Sequence, residues 1–152
     1  MKNDKTDNHE QLFWEEIDRL FPDMIKAIAS LSKKSYLSIT NLRTGITWWS
    51  ERAMDYFGMK ENYTIRSMEK ANRKIHPDDV ATFKRGFKER VDGKNLDTAW
   101  EYRIQDGDSY NRFNAMARVL YDEQKQPFII IIRYDNYGIS DEVDSVTGLY
   151  TE

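Results

Sequence analysis

Residues 98–135 read TAWEYRIQDGDSYNRFNAMARVLYDEQKQPFIIIIRYD. Asp106-Gly107 is a strong hairpin signal, because both residues tolerate the positive φ that a tight turn needs. It separates a strand predicted over 98–105 from a second over 110–121, and a third follows over 127–134. Side chains alternate across a strand, so Trp100, Tyr102 and Ile104 share one face of the first of these strands. Phe113, Ala115, Ala117, Val119 and Tyr121 form an apolar face on the second, against Arg112, Asn114 and Arg118. The third strand differs. Phe128-Ile129-Ile130-Ile131-Ile132 is apolar on both faces, which predicts a central strand covered on both sides.

Working outward, residues 36–40 and 46–49 read as two strands of a hairpin around Gly45. Ser50 is placed to cap a short helix that Gly58 ends, a helical turn is expected over 64–70, and Pro77-Asp78-Asp79 suits the start of a longer helix ending at Asp92-Gly93. Strands flanking a block of helices give an α+β class with a five-stranded antiparallel sheet and short helices on one face. Upstream, Phe13, Ile17, Leu20, Phe21, Met24, Ile28 and Leu31 recur at helical spacing. Pro22 either kinks this segment or divides it in two. This amphipathic segment, 10–34, is the available cover for the outer face of the sheet, with a partner subunit as the other candidate. Residues 1–9 are polar without periodicity and are expected to be a disordered lead-in.

The chain has 152 residues, a net charge of −3, 39% hydrophobic and 13% aromatic residues. A single domain of that size buries about 68–70% of its unfolded surface. There is no cysteine, which excludes disulfides, thiol catalysis and cysteine-ligated metals. Only two histidines, His9 and His76, are present, too few for a three-histidine zinc site. No catalytic residue and no metal ligand set is predicted. No nucleophile–base pair or glycine-rich phosphate loop appears. Arg66, Arg73, Lys74, Lys84, Arg85, Lys88 and Arg90 read as a solvated basic face, and the overall acidity argues against a nucleic-acid partner. No apolar run would span a membrane or act as a signal peptide, so a cytoplasmic protein is expected.

The strand pair around Gly45, the 50–58 helix, His76-Pro77-Asp78-Asp79, Glu101-Tyr102-Arg103 before Asp106-Gly107, and Asp135 after the last strand resemble a PAS domain over 35–136. The resemblance implies a sensory module, often a homodimer, with a ligand cleft between sheet and helices. It also implies that the position two before Asp135 points into the cleft. Arg133 would then meet Tyr102, with Trp100 and Phe113 as apolar walls, and bind a small anionic ligand. Alternatively Arg133 pairs with Glu101 or another acid at the strand end, and the aromatics fill the cleft themselves. Covalent flavin chemistry lacks its cysteine. His76 precedes its helix instead of lying within it, which argues against a haem ligand.

Residues 144–151, DSVTGLYT, resemble the opening of GGDEF (diguanylate cyclase) domains. By that resemblance 137–152 is a linker plus the start of a truncated GGDEF domain, and the full protein a diguanylate cyclase. Only 136–143 separates the two, and eight residues including Gly138 cannot form a coiled coil, so direct contact between the domains is expected to couple them.

Overall fold

The isoleucine run of 128–132 does lie centrally. In the computed structural model, which describes residues 4–21, 23–65, 69 and 72–140, the order is α1 (Asp4–Leu20), α2 (Met24–Leu31), β1 (Tyr36–Asn41), β2 (Ile46–Trp49), α3 (Glu51–Phe57), β3 (Tyr63–Ile65), a 3-10 turn (Pro77–Asp79), α4 (Val80–Val91), β4 (Trp100–Asp106), β5 (Ser109–Tyr121) and β6 (Pro127–Ser140). The strands form one antiparallel sheet in the spatial order β3-β2-β1-β6-β5-β4. The α+β class stands, but the sheet has six strands instead of five. The extra one is Tyr63–Ile65, where a helical turn was expected; three residues are too few to display an alternation. Their strand identity comes from pairing with Ile46, Thr47 and Trp48.

Alternation divides the sheet's apolar residues between two cores. On the inner face, under α3 and α4, lie Trp49, Trp100, Tyr102, Ile104, Phe113, Ala115, Ala117, Ile130, Ile132 and Tyr134. On the outer face, Leu37, Ile39, Ile46, Trp48 and Ile129 pack with Phe128 and with Phe13, Ile17 and Ile25 of the N-terminal helices. The amphipathic segment therefore covers its own sheet. Phe13, Ile17 and Ile25 have no exposed surface, and burying each contributes about 1.5–3 kcal/mol. Two polar contacts fix the seat: Asn41 Nδ2 donates to the Phe13 carbonyl at 3.2 Å, and Trp14 Nε1 to Tyr63 Oη at 2.7 Å.

The segment is two helices, with Asp23 at φ 66° between them; Pro22 lies outside the described residues. Helix α1 begins at Asp4, so residues 4–9 continue the helix instead of forming a disordered lead. Extending an existing helix is cheap compared with nucleating one. At the other end β6 runs on to Ser140, pairing Tyr110 with Ser140 and Asn111 with Ile139. Residues 137–140, expected as linker, belong to the sheet; the GGDEF-like residues 144–151 lie outside the described residues. Among the described residues no helix is long and apolar enough to cross a membrane.

Candidate functional site

The space between the inner sheet face and α3–α4 is built by cross-strand pairs. Trp100 faces Ala115, and Tyr102 faces Phe113; Ala115 in turn faces Tyr134. Trp100, Tyr102, Phe113 and Tyr134 thus share one face and one core. Phe83 of α4 meets the Tyr102 ring edge-on at 4.8 Å, and Trp49 stacks on Tyr134 at 6.4 Å. Such ring pairs add about 0.5–1.5 kcal/mol beyond burial. Helix α4 comes close to Trp100 because Gly86 has no side chain: a Cβ there would stand 2.6 Å from the indole Cδ1.

Arg133 is not in this cleft. In the β5–β6 register it faces Met116, one position off from the Ala115–Tyr134 pair, and across β1 it faces Leu37 of the outer core. The period of two leaves no choice once Tyr134 points inward. Arg133 is exposed, and its Nη2 donates to Asp135 at 3.2 Å, which matches the alternative of a strand-end ion pair. Tyr102 and Arg133 are not brought together; Trp100, Tyr102 and Phe113 are.

A different arginine is buried. Arg90, which the helical spacing assigned to the solvated face, is 3% exposed. Its guanidinium lies 4.2 Å from the Trp100 ring. It donates to the carbonyls of Gly86 and Thr98 and to Glu89. Helical periodicity places Phe83, Gly86 and Arg90 on one stripe, so the signal was available once α4 was known to pack on β4.

Polar satisfaction differs sharply within the cleft. Tyr134 Oη shares a 3.0 Å hydrogen bond with Ser38 Oγ, and burial pushes its phenol up to about 12. Tyr102 Oη and Trp100 Nε1 are buried with no partner among the described residues. Burial drives the Tyr102 phenol well above its ordinary range, so it is a neutral donor at physiological pH. A buried donor without an acceptor costs about 1–3 kcal/mol.

The His76-Pro77-Asp78-Asp79 segment is a structural clamp. His76 Nδ1 accepts the Asp78 N–H at 3.1 Å, and the His76 N–H donates to the Arg103 carbonyl at 2.9 Å. Asp79 accepts from Arg103 Nε at 2.8 Å, Nη2 at 3.0 Å and the backbone N–H at 2.8 Å. The guanidinium beside it, with the backbone donor, holds the Asp79 carboxyl below the usual range. Helix-start logic found the turn but not this long-range partner. Among the described residues no group of three or more acidic or histidine side chains could hold a metal ion. Among the described residues, grooves of about 680, 310 and 280 Å³ open on the surface, and these three are not lined by Trp100, Tyr102 or Phe113.

A family model for the PAS fold matches residues 46–132. Similar solved structures include a sensory box histidine kinase/response regulator from Burkholderia thailandensis E264, at 16% identity and TM-score 0.59, covering 83% of this chain and 92% of that one. The N-terminal domain of a diguanylate cyclase with PAS/PAC sensor from Marinobacter aquaeolei shows 15% identity and TM-score 0.56 over 69% of this chain and 96% of its own. A PAS domain from Colwellia psychrerythraea shows 18% identity and TM-score 0.55 over 76% and 98%. No curated protein matches the chain.

Proposed function

The chain belongs to the PAS fold family, a family of sensory and not catalytic domains, and from that premise we propose that its inner cleft takes up a small ligand and that the domain controls a GGDEF output domain in the same chain. One observation carries the ligand reading. Tyr102 and Trp100 bury two hydrogen-bond donors with no acceptor among the described residues, so the ligand presents acceptor oxygens, of which a carboxylate is one form. The link to a GGDEF domain is supported by the likeness of residues 144–151 to the opening of such domains, and by the diguanylate cyclase among the similar structures. In this reading the protein is cytoplasmic and homodimeric, with neither nucleic acid nor membrane as partner. The signal passes along β6, which runs from the cleft at Tyr134 to Ser140.

A second reading, a ligand-free interaction and dimerisation module, is favoured by the close ring packing among Phe83, Trp100 and Tyr102. The two separate on the Tyr102→Phe variant of the longer protein that includes the GGDEF domain. Synthesis of cyclic di-GMP from GTP changes at least about threefold in the variant if Tyr102 reads a ligand, a difference of about 0.7 kcal/mol. Equal rates support the packing module.

A further inference from the structure

One surface groove lies away from the cleft. β1 and β6 pair as far as Tyr36 and Tyr134, after which 34–35 and 135–138 diverge. The notch between them has a volume of about 680 Å³ and is lined by Lys34, Arg52 and Arg133 together with Tyr36, Asp135 and Tyr137. That volume is in the range of small-molecule sites.

Its charge is unbalanced. The one carboxylate, Asp135, pairs with Arg133. Among the described residues neither Lys34 nor Arg52 has an acidic partner. Arg52 is nevertheless held in place: its guanidinium stacks 4.4 Å from the Tyr36 ring centroid and its Nη1 donates to the Lys34 carbonyl at 3.2 Å. A guanidinium fixed in this way loses little freedom when it binds an anion, and its fork matches phosphate or carboxylate geometry. Two unneutralised cations at one notch stand out in a chain of net charge −3.

The backbone argues against an added peptide strand as the occupant. β6 carries a register shift opposite Asn111–Phe113, and Gly138 there has φ 90°. The Gly138 N–H is already taken by Asn136 Oδ1 at 2.8 Å. Bulges and capped donors blunt a sheet edge against strand addition.

We infer that the notch between β1 and β6 is a binding site for a small, multiply charged anion, held by Lys34, Arg52 and Arg133, with any organic body lying against Tyr36 and Tyr137. The site is separate from the inner cleft and does not depend on the reading given for it. Its position beside the last strand would let the anion act on whatever follows Ser140.

The test is an amide NMR titration of the 152-residue chain with inorganic phosphate and, separately, with citrate. Ionic strength is held constant with sodium chloride. Saturable shifts at 34–36, 52 and 133–138 are expected with at least one probe. Phosphate alone would indicate a phosphorylated ligand, and citrate alone a polycarboxylate. Lys34→Gln with Arg52→Gln should weaken binding about tenfold or more, whereas Arg118→Gln, an exposed arginine outside both the notch and the cleft, should leave it unchanged. Lys34→Gln alone, at an exposed position, provides the same readout if the double variant melts lower. Shifts no larger than those from chloride, or affinity unchanged in the lysine variant and the double variant, overturn the proposal.

Discussion

The two faces of the sheet are both densely apolar, yet they treat polar atoms differently. On the outer face Asn41 is matched with the Phe13 carbonyl and Trp14 with Tyr63, while His9 Nδ1 of the covering helix α1 is buried with no partner among the described residues. On the inner face Tyr134 is matched by Ser38, but the Tyr102 and Trp100 donors have no partner among the described residues. Burial alone does not separate them, since Ile17 and Tyr102 are both essentially inaccessible. What separates the equally buried Tyr134 and Tyr102 is hydrogen-bond completeness. Buried donors without a partner are rare in folded proteins, and those of Tyr102 and Trp100 are the ones the proposed ligand would meet.

The largest effect belongs to the outer face. Phe13→Ala should cost about 3–5 kcal/mol through lost burial and the cavity left behind, read from the urea midpoint at unchanged slope. A loss below about 1 kcal/mol would show that α1 is not part of the folded unit. The seam between α4 and β4 comes next. Asp79→Asn should cost about 1.5–3 kcal/mol, because it removes charge-assisted bonds to Arg103. Arg103 holds the folded-state pKa of Asp79 below its ordinary 3.8. Its contribution is therefore complete above about pH 5 and fades as pH falls through the folded value. Urea midpoints of wild type and variant should converge toward pH 2; a gap that stays constant would assign the loss to something other than this carboxylate.

The smallest effect is the most telling for the comparison. Tyr102→Phe in the ligand-free chain should change stability by less than about 0.5 kcal/mol, or raise it, because the hydroxyl makes no bond to lose. Tyr134→Phe, 32 residues on and equally buried, strands Ser38 Oγ and should cost about 1–2 kcal/mol. Equal losses at the two tyrosines would erase the distinction between matched and unmatched donors.

Much of this was legible in the sequence, and the limits have physical causes. Period-two alternation over 98–135 gave the central strand and sets the adjacent Arg133 and Tyr134 on opposite faces; the resemblance placed Trp100, Tyr102 and Phe113 in the cleft, and misplaced Arg133 there with them. Which of those two faces was the inner one was a matter of registry between strands, and a strand's own pattern does not contain it. The same holds for Arg90: its helical stripe was readable, but its contact with Trp100 depends on how α4 lies on β4. Tyr63–Ile65 was too short to show a period. The Asp79–Arg103 clamp joins residues 24 apart, beyond the reach of local capping rules. The unmatched donors could only be found by accounting for every buried polar atom in the folded chain.

Native mass spectrometry of the chain, purified from the expressing cell without denaturation, bears most directly on whether the inner cleft is a ligand site. The account predicts a discrete non-covalent mass on the wild-type polypeptide that is lost or strongly reduced in Tyr102→Phe. A bare polypeptide mass for the wild type, or an adduct retained equally by the variant, would contradict it.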